Sequence, residues 1–84
     1  MKVNDEILFD GILIRLIGVP PDEINNRNLV AIDKTGKALW TIEGLSVDGH
    51  DSPFVGIEGV ANRLIGYNRD GLRVEIDTKS GDIF

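Results

Sequence analysis

Four short turn segments divide this chain into apolar runs and limit what it can fold into. Each combines an acidic or amide residue with a glycine, and they lie at 10–11, 33–36, 68–71 and 77–81. Glycine adopts the left-handed backbone that tight hairpins need, and an Asp or Asn side chain caps the turn amides. The pattern predicts a small all-β domain, an antiparallel meander of seven or eight strands arranged as two packed sheets or one coiled sheet.

Length and charge narrow the class of protein further. The 84 residues fit a single domain over 1–84, because a chain of this size cannot supply two separate cores. The net charge of −5 gives no basic field for nucleic acid. Such a charge either speeds the encounter with a basic partner or serves solubility alone, and solubility alone is the favoured interpretation. With no cysteine, and no apolar run of membrane-spanning length, we expect a cytoplasmic protein without disulfides or membrane contact.

The first hairpin is unusual because both of its faces are apolar near the turn. A two-residue turn at Asp10-Gly11 places Phe9 opposite Ile12 and Leu8 opposite Leu13, and further along places Ile7 opposite Ile14 and Glu6 opposite Arg15. One small core cannot cover both faces. Either the 20–21 connection or the 43–61 segment covers Leu8 and Leu13 in a monomer, or a second copy covers them in a homodimer. The apolar residues within 43–61 need a place to pack, so the monomer is favoured.

Two more hairpins follow from the loops at 34–36 and 69–71. In the second hairpin, Ile32 is expected opposite Ala38, and Val30 opposite a buried Trp40. The third hairpin alternates, with an apolar face and a mixed face on which Tyr67 faces Arg73, Ile65 faces Glu75 and Arg63 faces Asp77. Between these hairpins, residues 43–61 show no clear pattern beyond a short strand at 54–57.

The mixed face of the third hairpin is the candidate binding surface. Its candidate residues are Tyr67, Arg73, Arg63 and Ile65. Tyrosine and arginine are common anchors of protein interfaces. The alternative is an ordinary cross-strand stack of Tyr67 on Arg73.

A polar cluster at Asp48, His50 and Asp51 is the candidate for chemistry. The two carboxylates beside the only histidine suggest an acid–base pair or a set of metal ligands. The alternative is a loop tip built from turn-forming residues. A transition-metal site usually needs several histidine or cysteine ligands, and this chain has one histidine and no cysteine. We therefore predict no metal and no cofactor.

Residues 29–40 resemble one repeat of the quinoprotein-type β-propellers. In that family a strand ends in Asp, a glycine-containing turn follows, and the next strand ends in Trp, as at Asp33, Gly36 and Trp40. Residues 76–84 echo the pattern with Phe84 in place of Trp. A propeller needs at least four blades, so the resemblance implies a hairpin here and no catalytic residues.

The overall layout resembles small uncharacterised bacterial all-β proteins, some of which neutralise toxins by binding them. These observations together predict a non-catalytic protein-binding module of the bacterial cytoplasm, of the inhibitor or immunity type, with a protein partner. The alternative is a small hydrolase or ligand-binding protein centred on the Asp48-His50-Asp51 loop.

Overall fold

The protein consists of two antiparallel sheets. The computed structural model describes residues 3–9, 11–43 and 52–84. The first sheet contains β1 (Val3–Phe9), β2 (Ile12–Ile17), β3 (Leu29–Ile32) and β4 (Ala38–Thr41) in chain order; the second contains β5 (Phe54–Val60), β6 (Arg63–Asn68) and β7 (Arg73–Ile76), also in chain order. The described residues include no helix. The predicted all-β meander is confirmed in its two-sheet form, with seven strands in the described parts of the chain.

Turn glycines produce these hairpins in the way that the sequence predicts. Gly11, Gly36, Gly71 and Gly81 have φ angles of +78°, +89°, +84° and +79°. Such angles are strained for residues that carry a Cβ atom. At the β3–β4 turn, the carboxylate of Asp33 also accepts hydrogen bonds from the amides of Thr35 and Lys37, at 2.8 and 3.0 Å. The hairpin that the 34–36 loop predicts is therefore present.

The carboxylate of Asp33 makes the β3–β4 turn sensitive to acid. The hydroxyl of Thr35, which donates to it at 2.6 Å, is the largest cause lowering the pKa of Asp33, followed by the amide of Lys37. A lowered carboxyl pKa stabilises the fold at pH values above the ordinary 3.8, and this stabilisation is lost as the pH falls through the lowered pKa. Thr35→Val should raise the pKa of Asp33, as measured by NMR titration of its side-chain carboxyl. An unchanged pKa would show that the hydroxyl has no such effect.

The predicted registers of the first and third hairpins are confirmed over most of their length. Phe9 pairs with Ile12 and Leu8 with Leu13, and the register continues to Glu6 and Arg15. In the third hairpin, Leu64 pairs with Ile76, Ile65 with Glu75, Gly66 with Val74 and Tyr67 with Arg73. This ladder ends at the pair of Leu64 and Ile76, so the predicted pair of Arg63 and Asp77 is not part of it.

The predicted register of the second hairpin is wrong beyond its first pair. Ile32 pairs with Ala38 as expected, but Ala31 rather than Val30 pairs with Trp40, and Val30 pairs with Thr41. A β-bulge at this point inserts one extra residue in β4 and shifts every later pair by one. Trp40 is nevertheless buried, and its indole N–H donates to the carbonyl of Thr78 at 2.8 Å.

The core lies between the inner faces of the two sheets. The first sheet contributes Ile14, Leu16, Leu29, Ala31, Trp40 and Ile42; the second contributes Phe54, Ile57, Leu64 and Ile76. A buried polar side chain, that of Asn28, connects the sheets. Its Nδ2 donates to the carbonyls of Ile17 and Phe54, both at 2.9 Å, and its Oδ1 accepts from the amide of Phe54 at 2.8 Å.

The end of the 43–61 segment is more regular than the sequence suggests. Strand β5 runs to Val60 and turns into β6 at Ala61, whose φ is +55°. Alanine rarely adopts this conformation, so the sequence carries no usual turn signal here. Gly59 within β5 also lowers the strand propensity, and a Cβ atom there would lie 3.2 Å from the ring of Phe9. The close approach of the two sheets accounts for the glycine.

Candidate interaction surfaces

The predicted binding patch lies on the outer face of the second sheet. Arg63, Ile65 and Tyr67 alternate along the central strand β6, and Arg73 lies opposite Tyr67 on β7. The structure therefore brings the four residues onto one surface, as the register predicts.

Within this patch, Ile65 is unavailable as an exposed anchor, because it is only 2% exposed. It lies outside the main core cluster, with Glu58 opposite it on β5 and Glu75 opposite it on β7. The expectation that its face presents an apolar side chain to solvent is therefore incorrect. Strand alternation places a residue on a face but does not say whether its neighbours cover it.

Two polar pairs occupy the rest of the patch. The Tyr67 hydroxyl donates to the carboxylate of Glu58, and the guanidinium of Arg63 lies 3.6 Å from the carboxylate of Glu75 rather than on Asp77. Each pair joins diagonal neighbours on adjacent strands, one pair on either side of Ile65. Both arginines of the set, Arg63 and Arg73, are exposed, while Tyr67 is half-buried. A partner that binds here would have to replace contacts that the patch already makes within the chain.

The outer face of the first sheet is apolar and open. The paired residues Leu8, Leu13, Ile32 and Ala38 line up across all four strands, and we call this set the apolar row. Leu8 is 74% exposed, Leu13 and Ile32 are half-buried, and Ala38 is exposed. Since the inner face of the same sheet forms the core, the apolar row points away from it. The described residues leave Leu8 largely uncovered, while residues 44–51 of the segment expected to cover it lie outside the described residues, so the preference for a monomer stays a prediction.

Three polar residues and one valine border the apolar row on one side. The next row across the sheet is Glu6, Arg15, Val30 and Thr41. Arg15 donates to the carboxylate of Glu6 at 3.1 Å, as their predicted pairing suggested. At the other end of the row, Leu39 is exposed beside Ala38. An apolar strip with a polar border is typical of a protein-contact surface.

Sequence reasoning found only half of the apolar row. The Asp10-Gly11 turn fixes Leu8 opposite Leu13, because a two-residue turn sets the register locally. Ile32 and Ala38 join the row only through the pairing of β2 with β3, across the connection at 18–28. No short turn sets that register, so it cannot be predicted from the neighbouring residues.

The described residues contain few groups that are arranged for catalysis or metal binding. A depression of about 270 Å³ beside β7 is lined by Arg63, Glu75, Asp77 and Lys79, among others, so that its charges balance. No three His, Cys, Asp or Glu side chains gather as a cation site in the described part of the chain. The predicted polar cluster of Asp48, His50 and Asp51 lies outside the described residues. Within the described ranges, no helix is long and apolar enough to cross a membrane.

Comparison with known proteins places the chain in a family. One family model, a domain of unknown function (DUF7957), matches residues 1–84. The chain belongs to this family. No curated protein and no solved structure matches it.

Proposed function

We propose that this DUF7957 domain is a non-catalytic protein-binding module, and that its contact surface is the apolar row on the outer face of the first sheet. The observation that carries the proposal is the row itself, four apolar residues paired in register with Leu8 almost three-quarters exposed. Covering a leucine side chain is worth about 2 kcal/mol. Single exposed apolar residues are ordinary, but a contiguous row on a small domain favours a partner.

The charge of the chain indicates what kind of partner suits this surface. A net charge of −5 speeds the encounter with a basic protein, and the Glu6–Arg15 pair beside the row offers polar contacts at the border. Of the row, only Leu8 lines a depression, one of about 500 Å³ shared with Phe9, Ala61, Asn62 and Thr78, and the other three residues of the row lie outside its lining. A module of this kind acts by covering part of its partner, which is how an inhibitor or immunity-type protein works.

The test compares two leucines that are both exposed. Leu8→Asp should abolish capture of a specific partner from native lysate, while Leu72→Asp should leave capture intact, because Leu72 is 51% exposed in the β6–β7 turn. Captured proteins are quantified by mass spectrometry against the wild type. Both variants should keep their melting temperature, because substitutions at exposed positions change stability little. A covered Leu8 would instead make Leu8→Asp unfold the protein.

The two candidate surfaces give opposite results in this assay. Capture that survives Leu8→Asp but is lost with Arg73→Ala would contradict the proposal and assign the interface to the outer face of the second sheet. Loss with both leucine variants would show that the captured protein binds exposed apolar residues unselectively.

A further inference from the structure

The depression of about 500 Å³ that Leu8 lines lies where three segments from the two sheets meet. The first segment is the end of β1. Its Leu8 and Phe9 point to opposite faces, and both border the depression because β1 is the edge strand of its sheet. The other segments are the β5–β6 turn and the turn after β7, which contribute Ala61, Asn62 and Thr78. Because Leu8 also belongs to the apolar row, the depression adjoins the proposed contact surface.

Two contacts fix the walls of this depression. The ring of Phe9 packs over Gly59 of β5, where a Cβ atom would lie 3.2 Å from it. The backbone at Thr78 is held by Trp40, whose indole N–H donates to the Thr78 carbonyl at 2.8 Å. A bound group would therefore enter a site whose shape already exists, so that little binding free energy is lost in ordering it.

Ala61 is an unusual residue to find on this lining. Its φ of +55° is the only positive value among the described residues that are not glycine. The backbone here favours glycine, which would adopt the same turn without strain. Strained residues of this kind cluster at binding sites, where the strain serves the function. The one group that alanine adds to a glycine is a methyl, and Ala61 borders the depression.

The lining is apolar in one part and polar but uncharged in the other. Leu8, Phe9 and Ala61 supply the apolar groups, while Asn62 supplies an amide and Thr78 a hydroxyl. No hydrogen bond within the described part of the chain uses the side chain of Asn62 or of Thr78. A neutral ring that carries a hydroxyl matches such a lining, because the ring is buried while the hydroxyl finds a hydrogen-bonding partner.

Tyrosine is the side chain that combines these properties. Its hydroxyl both donates and accepts, whereas tryptophan only donates and phenylalanine does neither. An arginine or lysine would meet no carboxylate among the described lining residues, and the charges balance in the neighbouring depression, which shares Asn62 and Thr78. Tyrosine is also a frequent anchor residue that fills pockets at the centre of protein interfaces.

We propose that this depression receives a tyrosine side chain of the protein that covers the apolar row. The ring packs against Leu8, Phe9 and Ala61, and its hydroxyl bonds to Asn62 or Thr78. The inference rests on the proposed function for the source of the tyrosine, because the depression adjoins the row at Leu8. It specifies what the partner must present, an exposed tyrosine next to an apolar surface.

The probe for this site is N-acetyl-tyrosinamide, titrated into the whole chain and followed by the amide NMR signals of the residues that line the depression. Those signals should shift saturably, with a dissociation constant of about 1–20 mM. N-acetyl-phenylalaninamide, which lacks only the hydroxyl, should bind at least about fivefold more weakly. The titration uses no partner protein, so it tests the depression separately from the capture assay.

Two variants test the lining residues. Asn62→Ala/Thr78→Val removes both polar side-chain groups and should bring the affinities of the two amides together. Asn25→Ala, at an exposed position outside the depression, should keep them apart. Ala61→Gly should raise the unfolding midpoint, because glycine relieves the strained φ, and should weaken tyrosinamide binding about twofold or more, because the methyl is lost. A purely structural role of Ala61 would not combine higher stability with weaker binding.

Three results would each overturn the inference: no saturable shift of the lining residues, equal binding of both amides to the wild type, or an Ala61→Gly variant that gains stability at full affinity. A depression that binds no amide, in a protein whose capture of a partner is lost with Leu8→Asp, would overturn this inference alone. Amide binding combined with capture that survives Leu8→Asp would overturn the proposed function and, with it, the assignment of the tyrosine to that partner.

Discussion

Replacing Asn28 by alanine should destabilise the fold by about 3 kcal/mol or more, a large part of the stability of so small a domain. Its side chain is buried and makes three hydrogen bonds to backbone groups of Ile17 and Phe54. Alanine leaves two carbonyls and one amide unpaired inside the protein, and each such group costs about 1–3 kcal/mol. Asn28 precedes β3 and Phe54 begins β5, so the hydrogen bonds that the variant loses are those that connect the two sheets.

Asn25→Ala is the matched control for this measurement. Asn25 is exposed, and its side chain accepts a single hydrogen bond, from the amide of Arg27 at 3.0 Å. The same chemical change should therefore alter stability by about 0.5 kcal/mol or less. Chemical denaturation of the two variants measures the difference. Equal unfolding midpoints would show that the hydrogen bonds of Asn28 do not hold the sheets together.

The sequence predicts this fold well wherever a structure is determined by neighbouring residues. The four turn glycines have positive φ, and the registers of the first and third hairpins follow from their turns. A turn decides how its own two strands align, without reference to the rest of the chain. The bulge in β4 and the Ala61 turn are not predicted, because no turn residue marks the bulge and alanine rarely adopts a positive φ.

The surfaces were less predictable than the strands, because exposure depends on residues that are distant in sequence. Leu8 and Leu13 were identified as an apolar face, but the uncovered row needed the pairing of β2 with β3. Ile65 was assigned correctly to its face and incorrectly to solvent. Alternation along a strand predicts the face on which a side chain lies, whereas its exposure depends on the side chains around it. Ile65 lies between two cross-strand pairs, Glu58 with Tyr67 and Glu75 with Arg63.

The second large effect is expected at Gly81, where a glycine is required for two reasons. Its φ of +79° is unfavourable for alanine, which costs about 1 kcal/mol. A Cβ atom at this position would also lie 2.6 Å from ring carbons of Trp40, closer than any real contact. Trp40 is only 9% exposed and is held by its hydrogen bond to Thr78, so the ring cannot move aside freely. Gly81→Ala should therefore destabilise the fold by about 2–4 kcal/mol.

Gly36→Ala separates the two causes. Gly36 has a similar φ of +89°, but a Cβ atom there would meet nothing within 4 Å, so only the backbone cost of about 1 kcal/mol remains. The difference between the two variants in chemical denaturation therefore measures the contact with Trp40. Trp40 is the only tryptophan, and its emission should shift to longer wavelength in Gly81→Ala alone, as the ring leaves its site. Equal destabilisation with unchanged emission would mean that the 77–81 turn does not pack on Trp40 in solution.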